Sequence, residues 1–211
     1  MKYKAVILDL DGVICHTDQY HYEAWRTIAD ELGIIFNEDI NNRLRGVGRM
    51  QSFDIILENY DKAMSEDEKL FYTDKKNSIY VDLLHAMTPL DVDPDVMSTL
   101  SAIRARGIKM AIGSSSQNAK MILHKIGLFS FFEAISDGTN ITRTKPDPEV
   151  FLLASEYLDI DPPWCIVVED AKAGVDAAKS VNMDCAAIGD AADYAPATYS
   201  LGKLSDLLKY L

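Results

Sequence analysis

Asp9 and Asp11 stand one residue apart at the end of the apolar run "YKAVILDL", and Gly12 follows at once. Two carboxylates this close repel each other and are costly to take out of water. A turn needs one Asp-Gly pair, so the second acid asks for a chemical reason. A divalent cation, a proton shuttle and a phosphorylated carboxylate each supply one. Other reactive residue types also follow apolar runs. Ser114, Ser115 and Ser116 come after "IKMAIG", Lys145 lies in "TRTKPDPE" beyond "FFEAIS", and Glu169 and Asp170 close "CIVVED". Carboxylate oxygens suit Mg2+, which takes hard oxygen ligands and keeps waters or phosphates in its shell. A hydroxyl and an ammonium suit the remaining oxygens of a phosphoryl group. One aspartate could then attack phosphorus while its neighbour handles the proton of the alcohol.

The spacing of apolar residues predicts the elements that position these groups. Residues 3–9 are a fully buried strand. Ala24, Trp25, Ile28, Ala29 and Leu32 fall at helical spacing up to Gly33, and residues 50–86 are mainly helical, with Phe53, Ile56, Leu57 and Tyr60 on one face. From about residue 90 helices and strands alternate. Helices marked by Val96/Leu100/Ile103, Ala119/Ile122/Leu123/Ile126 and Val150/Leu153/Ala154/Tyr157/Leu158 precede the strands "IKMAIG", "FFEAIS" and "CIVVED". A helix at 171–181, the strand "CAAIG" and a C-terminal helix with Leu204, Leu207, Leu208 and Leu211 complete the series. The alternation predicts an α/β chain with a Rossmann-like, doubly wound parallel sheet. The core comprises residues 1–14 and 89–211, and residues 15–88 form an inserted helical cap. Ligands of such sheets bind beyond the carboxyl ends of the strands, where the reactive residues stand.

Composition narrows the partners. The chain has 211 residues, 48% hydrophobic and 26% charged, as expected of a globular protein with one sizeable core. A net charge of -12 argues against nucleic acid and against an anionic membrane. The expected partner is a small molecule, held by a metal and local cations, with the protein a monomer. Cys15, Cys165 and Cys185 are widely spaced in apolar settings and read as buried thiols of a reducing compartment. No signal peptide and no apolar run of bilayer length is evident, which points to the cytoplasm.

Taken singly, each residue has a plainer role. Asp11-Gly12 could be a turn, Ser114 a helix cap, Lys145 a solvated loop residue, and Glu169-Asp170 a cap for the next helix. Together, "DLDGV" at 9–13, Ser114, the lysine of "KPDPE" and "VVEDAKAGVDAAKS" at 167–180 resemble the four motifs of the haloacid dehalogenase-like phosphotransferases, in that family's order and over the whole chain. The resemblance implies Asp9 as a nucleophile that becomes phosphorylated and Asp11 as general acid/base. It also implies Mg2+ held by Asp9, the backbone carbonyl of Asp11 and Asp170, with Glu169 assisting, and Ser114 and Lys145 on the transferred phosphoryl group.

Across cap and core the likeness extends to the family's sugar phosphomutases, through "DLDGVICHTDQYHYEAW", "LRGVGRMQS", "KKNSIY" and "SSSQNA". These move phosphate between O1 and O6 of β-glucose through a bound bisphosphate, which requires a second phosphate site. The resemblance assigns that site to Arg49, Ser116 and Asn118, with Gly46, Lys76, Gln117 and Trp25 around phosphate and sugar. It also suggests that His21 couples cap closure to Asp11, and that Thr17 holds one conformation of Asp11. By helical position alone His21 would instead face the core beside Trp25 and Ile28. Gln117 departs from the family pattern, which commonly has a lysine there, and Leu8 replaces a common aromatic. The departures leave open a sugar-phosphate phosphatase or a mutase for another sugar. A phospho-acceptor signalling domain uses similar groups but lacks an insertion after its first strand.

Overall fold

A computed structural model describes residues 2–44 and 47–211. Among them, β1 (Ala5–Leu8) is followed by four helices, α1 (Asp18–Leu32), α2 (Glu38–Asn42), α3 (Arg49–Leu57) and α4 (Glu66–Leu84). The alternating part then runs α5 (Pro94–Ala105), β2 (Lys109–Gly113), α6 (Ala119–Lys125), β3 (Ala134–Ser136), α7 (Glu149–Leu158), β4 (Cys165–Glu169), α8 (Lys172–Ser180), β5 (Asp184–Ala187) and β6 (Tyr199–Ser200). The strands form one sheet in the order β3-β2-β1-β4-β5-β6, and every pairing is parallel. No helix among the described residues is long and apolar enough to cross a membrane.

The two-residue period of a strand sorts its side chains onto the two sheet faces. Val6, Leu8, Met110, Ile112, Ile166 and Val168 pack with Leu100 and Ile103 of α5, Ile122 and Leu123 of α6, and the C-terminal Leu204 and Leu207. The alternate residues Ala5, Ile7, Ala111, Cys165 and Val167 pack with Val150, Phe151 and Ala154 of α7 and Val175, Ala177 and Ala178 of α8. Both faces are covered, so the strands are apolar throughout, as parallel sheets require.

The inserted helices have a hydrophobic cluster of their own, built from Trp25, Ile28, Ala29, Ile34, Phe36, Leu44, Phe53 and Ile56. α1 ends at Gly33, whose positive φ of 72° closes the helix in a left-handed turn. α4 starts with a reciprocal cap. Ser65 accepts from the Glu68 backbone, and the Glu68 carboxylate accepts from the Ser65 backbone. The far end of α4 is shared, because Tyr80 and Leu84 are buried in the sheet's own cluster. We propose residues 15–88 as a cap on a core of 1–14 and 89–211.

Two expectations need correction, and two short elements are added. Leu204–Lys209 is a 3-10 run, not an α-helix. Its two fully buried leucines, Leu204 and Leu207, are three apart, which matches three residues per turn. "FFEAIS" is strand only from Ala134, because Phe129–Phe131 form a 3-10 turn. α2 and the two-residue β6 were not foreseen, being too short to leave a periodic signal.

Candidate active site

The strand order reverses at β1, which lies between β2 and β4, and a crevice opens beyond its carboxyl end. Asp9 sits there, its N–H still donating to the Val168 carbonyl at 3.0 Å, and its side chain is buried. Lys145 is 1% exposed, so it is no solvated loop lysine; it donates to Asp9 Oδ1 at 2.5 Å and to Glu169 Oε2 at 2.7 Å. The other oxygen of Glu169 accepts from the Ala171 N–H at 3.1 Å in the turn before α8; the N-cap position of that helix is Ala171, with no side-chain cap, so the plainer helix-cap role of Glu169-Asp170 is not realised. Ser114 is buried beside them at the end of β2, its hydroxyl accepting from the Ser116 N–H at 3.1 Å. It lies outside α6, whose N-cap position is Asn118.

Carboxylate oxygens of Asp9, Glu169 and Asp170 lie within 4.8 Å of one another. Burial, opposed by Lys145 and reinforced by Glu169 and Asp11, pushes Asp9 up to about 8. Burial, then crowding by Asp9 and Glu169, pushes Asp170 up to about 9. Burial alone would lower Lys145, but Asp9 and Glu169 outweigh it and keep the ammonium charged. A hard divalent cation among these oxygens would offset the crowding and favour the charged forms of Asp9 and Asp170. The donor set fits Mg2+.

Two glycines make this approach possible. Gly12 has φ +84° and faces the Asp170 carboxylate, where a Cβ would collide. Gly174, in α8, would run into the Glu169 carboxylate if it carried a Cβ. Alanine in a helix interior is ordinarily better than glycine by about 1 kcal/mol. Gly174→Ala is expected to reverse that sign, lowering the melting temperature together with Mg2+ affinity measured by calorimetry.

Asp11 accepts a short hydrogen bond from Thr17, whose hydroxyl accepts from Tyr80 at 3.1 Å. Burial raises Asp11 to about 6, with the Thr17 bond pulling it down. The hydrogen bond of His21 goes to Lys76 Nζ, at 2.7 Å, and not to Asp11; its ring stacks on Tyr80 at 4.0 Å. Burial, then the charges of Lys76 and Arg49, hold His21 neutral. Lys76 is buried and brought down to about 7, first by burial and then by Arg49; it lies 5.1 Å from the Trp25 ring.

Arg49 opens α3 and lines the same cavity as Asp9. Its Nη2 donates to Asn77 Oδ1 at 2.8 Å and to Gln117 Oε1 at 2.9 Å. Asn118 Nδ2 donates to the same Asn77 oxygen at 2.9 Å. Ser116 accepts from the Asn118 N–H at 3.2 Å. Asp9, Asp11, His21, Trp25, Arg49, Lys76, Ser114, Ser116, Gln117, Asn118, Lys145, Glu169 and Asp170 all line one cavity of about 260 Å³. Thr17 stands behind Asp11, and Gly46 lies outside the described residues. The sequence leaves Asn77 and Tyr80 without a role; the helical spacing of Thr73, Lys76 and Tyr80 accounts for the burial of Tyr80 but not for its hydrogen bond to Thr17, and it does not include Asn77.

A parallel sheet with acids, a hydroxyl and a lysine at its switch point is the build of the haloacid dehalogenase-like hydrolases, and this chain belongs to that family, whose family model matches residues 3–182. It is 38% identical over 206 residues to the β-phosphoglucomutase of Bacillus subtilis, covering 97% of this chain and 91% of that protein. The phosphorylated carbohydrates phosphatase of Thermotoga maritima is 31% identical, over 86% of this chain and 82% of its own length. The crystal structure of a β-phosphoglucomutase from Clostridium difficile superposes with a TM-score of 0.92 at 37% identity, covering 99% of this chain and 95% of that one.

Proposed function

We propose that this protein is a Mg2+-dependent β-phosphoglucomutase, interconverting β-glucose 1-phosphate and glucose 6-phosphate through β-glucose 1,6-bisphosphate. The observation that carries it is the second set of anion donors. Arg49 and Asn118, both bonded to the Asn77 side-chain oxygen, line the same cavity as Asp9. Removing a single phosphate by water needs one phosphoryl site; exchanging phosphate between two ends of a sugar needs two. The likeness to the Bacillus subtilis and Clostridium difficile β-phosphoglucomutases supports the same reading.

Asp9 attacks phosphorus of the bisphosphate in line, forming the Asp9 O–P bond as the sugar O–P bond breaks. Asp11 gives its proton to the departing sugar oxygen. In the second half Asp11 takes the proton of the other sugar hydroxyl, which attacks the phosphoaspartate. Lys145 and Ser114 hold phosphoryl oxygens, and Arg49, Ser116 and Asn118 hold the phosphate that is not reacting. Mg2+, held by Asp9, the Asp11 carbonyl and Asp170, would offset the charge of the phosphoryl group. Glu169 has both oxygens bonded and serves mainly to fix Lys145 and the turn into α8. Closure of the cap keeps water from the phosphoaspartate until a sugar hydroxyl arrives.

The test supplies Mg2+ and β-glucose 1-phosphate, with a trace of glucose 1,6-bisphosphate, and follows glucose 6-phosphate and inorganic phosphate in one tube. Glucose 6-phosphate with little free phosphate is expected. Dominant phosphate release would make the protein a sugar-phosphate phosphatase, and no turnover of this substrate would point to another sugar.

The proton role of Asp11 predicts a pH limb. Activity for attack by the sugar hydroxyl should rise as pH climbs through about 6, where Asp11 loses its proton. Thr17→Val removes the bond that lowers this value, so the limb should move to higher pH. An unmoved limb would assign it to a different group.

A further inference from the structure

Among the described residues that line the cavity, two hydrogen bonds join the inserted helices to the loop before α6. Arg49, at the start of α3, donates to Gln117 Oε1 at 2.9 Å, and Asn118 donates to Asn77 Oδ1 of α4 at 2.9 Å. They are tied together, because Arg49 also donates to that Asn77 oxygen at 2.8 Å. The acceptors on Arg49 are thus two amide oxygens, with the Asp74 carboxylate at 3.7 Å from its other nitrogen. Gln117 is exposed and belongs to the loop leading into α6, so it can leave Arg49 without disturbing the core. An amide can accept from a guanidinium without bringing charge. An ammonium at this position could not accept, and would repel Arg49 and Lys76 until an anion stood between them.

We infer that Gln117 and Asn77 form a neutral latch joining the cap to the core through Arg49, and that the residue at 117 sets whether phosphate is needed to close the cap. The latch brings the two walls together by itself; phosphate then replaces amide oxygens on Arg49 without having to pull the cap down. The phosphate part rests on the distal-anion role proposed above, whereas the latch does not.

Small-angle scattering of the whole protein in Mg2+ buffer, with and without inorganic phosphate, reads both parts. The wild type is expected to keep one radius of gyration in the two buffers. Gln117→Leu, which removes the acceptor without adding charge, should expand in both. Gln117→Lys should expand without phosphate and contract to the wild-type size when phosphate is added. Gln117 is exposed, so both variants should keep the wild-type circular dichroism. Variants as compact as wild type without phosphate, or a wild type that itself contracts on phosphate, would overturn the latch. A lysine variant that expands but ignores phosphate would keep the latch and remove the distal-anion role.

Discussion

Asp9→Asn is expected to lower turnover by about ten-thousand-fold or more, because the amide cannot form the phosphoryl bond on which both half-reactions depend. The substitution keeps side-chain volume and the strand-end N–H bond to Val168, so the fold should survive. A second readout comes from heat. Asp9 and Asp170 are raised by burial, so in chelator their contribution to stability is complete below the ordinary carboxylate range, near 4, and is lost as pH climbs through about 8 to 9. Mg2+ should reverse that loss, stabilising wild type by about 2.7 kcal/mol when present at a hundredfold excess over its dissociation constant. Asp9→Asn removes one titrating carboxylate and replaces an anionic metal oxygen by a neutral, weaker one. Its melting temperature should therefore fall less between pH 6 and 9 in chelator and gain less from Mg2+. Full turnover in the variant would displace Asp9 as nucleophile; an undiminished Mg2+ gain would displace it as a ligand.

The parts of this molecule that sequence made legible are those in which one local pattern has one physical cause. β1 reads as buried because both its faces are covered, and Asp9 stands out because an acid ending such a strand has no structural need to be there. Lys145 is a contrasting case. Its neighbourhood in "TRTKPDPE" looks like a solvated loop, and only its place beside Asp9 and Glu169 explains its complete burial. Tyr80 and Asn77 were missed for a related reason: their partners Thr17, Arg49 and Asn118 lie 63, 28 and 41 positions away, beyond any local period. His21 shows the same limit within one helix. Helical spacing faces it to the core beside Trp25 and Ile28, whereas it lines the cavity and its hydrogen bond goes to Lys76. The C-terminal leucines were assigned a period of 3.6 when their two buried members repeat at 3, a distinction too fine for so short a run.

Lys145→Met should cost about 3–5 kcal/mol of stability, since it removes the cation from a buried pair of acids and leaves their charge uncompensated. Methionine fills nearly the same length beside Phe151, whose ring lies 4.9 Å from the ammonium, so lost packing contributes little. The lysine is not itself the titrating group at neutral pH. Asp9 and Glu169 hold it above its ordinary value, so its contribution is complete below about 10.5 and is lost only as pH rises beyond that. The destabilisation should accordingly be largest in chelator at pH 7 to 9, where the carboxylates are being forced to ionise. It should shrink with added Mg2+ and with acid. Adding Glu169→Gln to Lys145→Met should recover part of the loss, because the amide keeps an oxygen for the Ala171 N–H while removing one unpaired charge. Activity should not return with stability, since the phosphoryl group would still lack its ammonium. Denaturant melts of the single and the double variant separate these effects. A single variant within about 0.5 kcal/mol of wild type would place the charge balance of the site elsewhere.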